Sequence, residues 1–449
     1  MTLPSSFLLS FNQIVAASTF TLGYLVCRII NNPALSIAYG VSIFVEQISL
    51  VIIANAIEEA IAITAGKFYG ANNPEKAKNW LTNAVTTMVF INVVLISAFL
   101  LYGKQAMILV GFDPELAANV YWVLSLKIPS VVLLEFNSGL LSYLLSVETN
   151  IEYISLAPIS ILINSALTLA LAYWTKLGFW SVIIGLTAIQ LTDMLIYLWV
   201  YFTKMDPKYR GLGNFRQSFS TLCDFLREFA VFWLGFFGEF IGSEIMVYLS
   251  VLTKDNDQIA AVTYVVNVAY FMLEVGTGQS YVSRAVTSAL IGANKMEAAR
   301  KFAAIYLIGL LLIGCIFGCC IYFCAGILAS IYTQPGTTMR TITTNLIRLY
   351  SFWVPQDILF FSMLTISRTI GLAYLSIALN FFFVLFCQPM ISIWLRNQGR
   401  LTCFTVLATT YSMYTICFVI LAIAFYGKNW QKIDSTEEDK AASQILLTN

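Results

Sequence analysis

The chain has no histidine. That removes the side chain that most often titrates near neutral pH and the commonest metal ligand, so any proton chemistry must fall to Asp or Glu. Charge of either sign is scarce, with only 11% of the 449 residues Asp, Glu, Lys or Arg, against about a quarter in a soluble protein. No basic run is present and the net charge is +1, which offers nothing to nucleic acid. The nine cysteines have no metal-ligand spacing, and their odd number excludes a complete set of intrachain disulfides. Cys315, Cys319, Cys320 and Cys324 fall in one apolar run, where thiols behave as small hydrophobes. The first apolar stretch is longer than a signal-peptide core and lacks a small-residue cleavage site, so it is expected to remain as a span. No nucleophile–base or metal constellation is visible, and an enzyme is not expected.

Long hydrophobic runs are what the chain does have. Hydrophobic residues make up 59% and the mean hydropathy is +0.79. Apolar runs of about 20 residues, enough to cross a bilayer, recur near 5–30, 35–65, 80–110, 115–145, 150–173, 178–203, 228–252, 258–283, 300–330, 340–367, 370–395 and 402–426. The pattern predicts an all-α polytopic membrane protein of twelve transmembrane helices. The joins carry turn residues, among them Asn31-Asn32-Pro33, Asp113-Pro114 and Thr333-Gln334-Pro335-Gly336. The longest polar interruption follows the sixth run and divides the chain into an N-lobe at 1–203, a cytoplasmic linker at 204–227, a C-lobe at 228–427 and a polar tail at 428–449. With the N-terminus cytoplasmic, sixteen Lys and Arg residues gather on that side and eight on the other, so both termini are expected inside.

The halves repeat. Gly70-Ala71-Asn72 recurs as Gly292-Ala293-Asn294, and Glu75 and Ala77 as Glu297 and Ala299, all at an offset of 222. Ile128-Pro129 answers Val354-Pro355 at an offset of 226. Each repeat holds six spans, so the two share one orientation and are related by an axis along the membrane normal. Transporters built this way hold substrate between or within their halves.

A charge at bilayer depth costs a few kcal/mol or more, so those retained there are candidates for function. Glu239 and Glu244 stand five residues apart in the seventh span, a rise of roughly 7.5 Å and a turn of roughly 140°, two levels of one broad flank. Glu274 lies in the eighth span and Asp357 in the tenth. Arg368 is eleven residues beyond Asp357, roughly 16 Å along a helix, too far to neutralise it. A carboxyl group with no cation in reach can hold a proton near neutral pH and, when ionised, attract a cation. A proton and an organic cation competing for one carboxylate constitute antiport, because each weakens the other. Tyr248, Tyr264, Tyr270, Phe271, Tyr350, Phe352, Trp353, Phe360 and Phe361 lie on the same spans, and aromatic faces attract such cations. Glu59 with Lys67 and Lys127 with Glu135 are each eight apart, too far to pair directly. Interhelical or interfacial polar contacts are expected for these four.

These residues resemble the multidrug and toxic compound extrusion (MATE) transporters, particularly the eukaryotic type, over about residues 4 to 426. Gly66-Lys67-Phe68-Tyr69-Gly70-Ala71 looks like the family's Gly-Gln-aromatic-Gly-Ala signature. Glu239 and Glu244 match its Glu-x-x-x-x-Glu spacing. Asp357, Arg368 and Asn380 follow its acid, Arg-Gly and Asn sequence, and Ser283 with Gly292-Ala293-Asn294 its second Gly-Ala element. The resemblance implies two six-helix lobes and a proton and cation site at Glu239, Glu244 and Asp357, with Glu274 a weaker member. Gly70, Gly292, Pro129, Pro355, Arg368, Asn380 and Lys67 would shape or gate the lobes. Several positions depart from the family: Lys67 replaces Gln, Thr369 replaces Gly, Val286-Thr287-Ser288-Ala289 replaces Arg-Val-Gly-Asn, and the first span offers Asn12 and Gln13 but no acid. Bacterial members with an N-lobe Asp are therefore poor guides, and no N-lobe proton site is expected.

The expected function is a monomeric antiporter in the lipid bilayer that exports organic cations or small metabolites against protons. No cofactor is implied, and Na⁺ coupling is the lesser expectation. The plasma membrane and a vacuolar or lysosomal-type membrane fit equally. Two alternatives stand beside it: a lipid-linked saccharide flippase of the same wider superfamily, which would want a basic cavity, and a transport-inactive structural subunit, to which the drifted motifs point.

Overall fold

A computed structural model describes residues 3–109, 111–147, 156–333 and 335–430; the rest of the 428–449 tail lies outside them. Span 1 is Leu3–Ile29. Span 2 runs as Pro33–Glu46, a π-helical stretch Gln47–Val51 and Ile52–Gly70. Spans 3 to 6 are Pro74–Leu109, Pro114–Ser146, Leu156–Trp174 and Trp180–Thr203. Spans 7 to 9 are Leu222–Val251, Asn256–Gly292 and Met296–Tyr332. Span 10 is a pair, Thr338–Tyr350 and Val354–Thr369, bent by 50° at the break. Span 11 comprises Ala373–Leu379, a π-helical Asn380–Cys387 and Gln388–Asn397, and span 12 is Cys403–Gly427. Helices stand at all twelve expected places among the described residues, nine of them, or ten with the bent pair, long and apolar enough to cross a membrane, and no strand is found there. In hydrocarbon every backbone polar group must be satisfied within its own segment, so helices are the form these runs can take.

The turn residues do what their chemistry allows. Asp113 caps span 4 by accepting from the N–H groups of Glu115 and Leu116 at 3.0 and 3.3 Å, with Pro114 at the first helical position. Thr402 and Thr405 form a capping box at the start of span 12. The Gly-Ala-Asn repeat is a repeat of hydrogen bonds too. Asn72 and Asn294 are left-handed, with φ of 53° and 59°, a conformation Asn accepts at a helix end. Asn73 N donates to Phe68 O and Lys295 N to Leu290 O, both at 2.9 Å. Spans 3 and 9, which follow these turns, are equivalent in setting: 22% of each apolar window is buried, against 78% in span 2.

The chain forms two compact units, Met1–Phe240 and Ile241–Asn449, dividing within span 7. In the first, span 2 is central, and its alanines at 54, 56, 60, 62 and 65 are buried. Without water to drive helices together, such small residues allow the close backbone approach that holds a membrane bundle. Trp80 of span 3 donates to Ala60 O at 3.0 Å across one such contact. The 204–227 linker is itself packed in this unit. Tyr209 is buried and its carbonyl accepts from Tyr143 Oη at 3.0 Å. Gly213 N donates to Thr82 Oγ1, and Asn83 Nδ2 to Thr221 Oγ1, both at 2.9 Å.

In the second unit, spans 8 and 9 flank span 10. A Cβ on Gly314 would meet Pro355 Cα at 2.5 Å, and one on Gly318 would meet Ser351 O at 2.7 Å. The two glycines of span 9 thus seat the break in span 10. Pro129 and Pro355, equivalent in sequence, differ here. Span 4 runs through Pro129 as one helix, whereas Pro355 opens the second half of a broken one. Pro355 follows a tight turn in which Trp353 N donates to Tyr350 O at 2.8 Å.

Candidate functional site

The break places Asp357 in the first turn of Val354–Thr369. Proline cannot donate within a helix, so Val354-Pro355 is a natural start. A carboxylate in a first turn faces unsatisfied N–H groups and the positive end of the helix dipole. Asp357 is 6% exposed. Its Oδ2 accepts from Tyr350 Oη at 2.7 Å and from Tyr411 Oη at 3.3 Å. Tyr350 ends the first half-helix, and Tyr411 comes from span 12. Among the described residues Asp357 is bonded to two phenols and to no cation.

Aromatic rings surround this carboxylate. Trp353 stacks on Tyr411 with centroids 5.4 Å apart and planes 23° apart, and Tyr350 lies 5.5 Å from Tyr411. Phe360 meets Tyr414 edge-on at 5.4 Å. Thr415 Oγ1 donates to Gln356 Oε1 at 2.6 Å, a second tie from span 12 to the same half-helix. Two glycines bring other helices close. A Cβ on Gly276 of span 8 would meet Asp357 O at 3.0 Å, and one on Gly242 of span 7 would meet Tyr414 Oη at 2.6 Å. Tyr350 and Tyr411 are buried while Trp353 and Tyr414 are half-buried. The arrangement offers one carboxylate, two O–H donors bonded to it, and π faces beside it: a setting for a proton or for a cation.

The other expected residues fall as follows. Glu239 is buried in span 7 at the end of the first unit; the side chain of Glu244 lies outside the described residues. Glu274 is half-buried in span 8. Arg368 is buried in the last turn of Val354–Thr369, where a cation suits the helix dipole. Asn380 is buried and opens the π-helical stretch of span 11. Lys67 is half-buried in the last turn of span 2, and Gly70 and Gly292 end spans 2 and 8. Tyr350, Trp353 and Phe360 join the Asp357 cluster, but Tyr248 and Phe352 are exposed at 71% and 73%. Reading the sequence missed Tyr411, Tyr414 and Thr415. Their signal was a Tyr-x-x-Tyr-Thr on one helical face within an otherwise apolar span.

The first unit buries charges of its own. Lys127 of span 4 is ion-paired with Glu46 of span 2, and Asn92 of span 3 donates to Glu135 of span 4. Both are contacts between helices, as expected for Lys127 and Glu135. Asp193 and Tyr197 of span 6 are buried in the same unit.

No curated protein matches the chain. The MatE family model matches residues 233–373, the region that holds Glu239, Glu244, Glu274, Asp357 and Arg368. Solved structures match far more of it. The eukaryotic MATE transporter AtDTX14 superposes with a TM-score of 0.80 at 14% identity, over 98% of this chain and 99% of that one. The Vibrio cholerae MATE transporter VcmN in its bent form gives 0.78 at 13%, over 94% and 96%. A Pyrococcus furiosus transporter of the MOP superfamily, described as having a binding pocket of reversed polarity, gives 0.80 at 15%, over 96% of both chains. The chain is an integral multi-pass membrane protein with the fold of the MATE transporters over nearly its whole length, and its residues 233–373 match the MatE family model.

Proposed function

We propose that the protein is a secondary active antiporter that exports organic cations or small metabolites in exchange for protons by alternating access, with Asp357 at the centre of its exchange site. The observation that carries this reading is the pairing of Asp357 with Tyr350 and Tyr411, with no cation bonded to it among the described residues, at the break of span 10. A buried carboxylate held by phenols alone has two ways to lose its charge: take a proton, or bind a cation from outside. The ionised form exists only when the proton has left, so the two ligands exclude one another. Trp353, stacked on Tyr411, adds a face for a delocalised cation. Glu244 and Glu274 are further carboxylates of the same unit on spans 7 and 8. Both termini are cytoplasmic in this reading, in the plasma membrane or a vacuolar-type membrane.

The test is binding with proton counting. Titration of an organic cation into purified protein, by calorimetry in two buffers of different ionisation enthalpy, gives the number of protons released. The reading expects release on binding in the wild type and loss of that release in Asp357→Asn. Release that survives in Asp357→Asn places the exchange elsewhere.

A further inference from the structure

We propose that the first unit holds a proton of its own, carried by Glu135 against Asn92 beside the Lys127–Glu46 pair, as a second coupling site distinct from Asp357. Four side chains from three helices make it: Glu46 of span 2, Asn92 of span 3, and Lys127 and Glu135 of span 4. All are at least nine-tenths buried, at 5%, 6%, 3% and 1% exposure.

The charges do not balance as they stand. Lys127 is ion-paired with Glu46 and its ammonium also lies 5.2 Å from the centre of the Tyr39 ring. That pair is complete. Glu135 bonds to Asn92, and among the described residues the charged group that acts on it is Glu46, a like charge. With both carboxylates ionised the group carries a net buried negative charge; one proton on Glu135 brings it to zero. Span 6 supplies no relief, since its buried Asp193 is acidic too.

The hydrogen bonds point the same way, independently of charge. Glu135 Oε1 and Asn92 Oδ1 are buried acceptors with no donor among the described residues. Buried polar atoms of this kind are nearly always satisfied. Two orphan acceptors on residues that already share a bond lack one thing, a donor. A proton on Glu135 is that donor, and an acceptor stands ready on its partner.

The backbone is irregular where these charges sit. The π-helical stretch Gln47–Val51 begins immediately after Glu46. Pro129 falls two residues beyond Lys127, between it and Glu135. A π stretch and an internal proline are two of the features at which helices bend. Loss of the proton puts a bare charge between two helices able to yield, which is how a proton's binding is converted to movement.

Protonation stands by itself, and the coupling role rests on the antiport reading, so two measurements separate them. Infrared difference spectra of the protein in lipid across a pH step read the carbonyl band of a protonated carboxylic acid. The proposal expects a band that Glu135→Gln abolishes, Glu135→Asp keeps but shifts, and Asp357→Asn leaves in place. A spectrum unchanged by Glu135→Gln overturns it. In proteoliposomes the ratio of protons to substrate is expected to fall in Glu135→Gln, with Glu135→Asp restoring it. An unchanged ratio overturns the coupling role and leaves the proton. A wild type that carries no organic cation counts against the antiport reading alone, and the spectra still decide the proton.

Discussion

Removing one hydroxyl from Tyr350 should weaken the protein's hold on an organic cation far more than removing one from Tyr411. Tyr350 donates to Asp357 Oδ2 at 2.7 Å, the ordinary length of a good O–H···O bond, whereas Tyr411 stands off at 3.3 Å. A hydrogen bond to a charged group contributes about 1.5–3 kcal/mol, and a poorly placed one much less. In the antiport reading the cation displaces a proton, so Tyr350→Phe withdraws that support from the ionised, cation-bound state and not from the protonated free one. Its affinity then falls by roughly tenfold to a hundredfold or more, at about 1.4 kcal/mol per decade. Tyr411→Phe should cost less than about tenfold by the same measure, although it also borders Trp353, whose stack at 5.4 Å survives because the ring remains. The assay is quenching of tryptophan fluorescence by a titrated cation at one fixed pH near neutral, with melting temperatures measured alongside to confirm folding. Equal losses in the two variants, or a larger one in Tyr411→Phe, would refute the assignment of Tyr350 as the principal donor.

Other consequences are as direct. Gly314→Val places a Cβ 2.5 Å from Pro355 Cα, so the break in span 10 must shift at a cost of about 1–3 kcal/mol; a lower melting temperature with loss of cation binding is expected, while Gly309→Ala, whose Cβ meets nothing, serves as the silent control. Asn72→Ala and Asn294→Ala should each cost about 1 kcal/mol for an alanine forced into a left-handed turn, and Asn→Gly at either position almost nothing, read as shifts in melting temperature. Lys127→Met leaves Glu46 buried without its partner and should destabilise by about 3–5 kcal/mol, with the double change Lys127→Met, Glu46→Leu recovering most of it, measured by denaturant unfolding in detergent.

What was legible in the sequence was what depends on neighbours in the chain. The twelve spans, their capped starts and the Gly-Ala-Asn ends follow from hydropathy and local turn chemistry, and the left-handed Asn72 and Asn294 repeat as the spacing implied. Asp357 was legible as a retained charge. Its partners were only half so: Tyr350 is seven residues away, but Tyr411 is 54 away, and the pairing exists because span 12 lies against span 10. The prolines mark the limit most clearly. Pro129 and Pro355 look alike in sequence, yet only the second opens a broken helix, and that break is packed against Gly314 and Gly318 of another span. Lys127 and Glu135, too far apart on one helix to pair, each found the expected partner on another helix, but the sequence did not say which. No local pattern announces that choice.

The most direct test of the central claim is transport itself. Wild type and Asp357→Asn are reconstituted in proteoliposomes with an imposed pH gradient, a panel of organic cations is added, and dissipation of the gradient is followed. The account predicts that a cation collapses the gradient through the wild type and leaves it standing with Asp357→Asn. Collapse of equal rate through folded Asp357→Asn would contradict it.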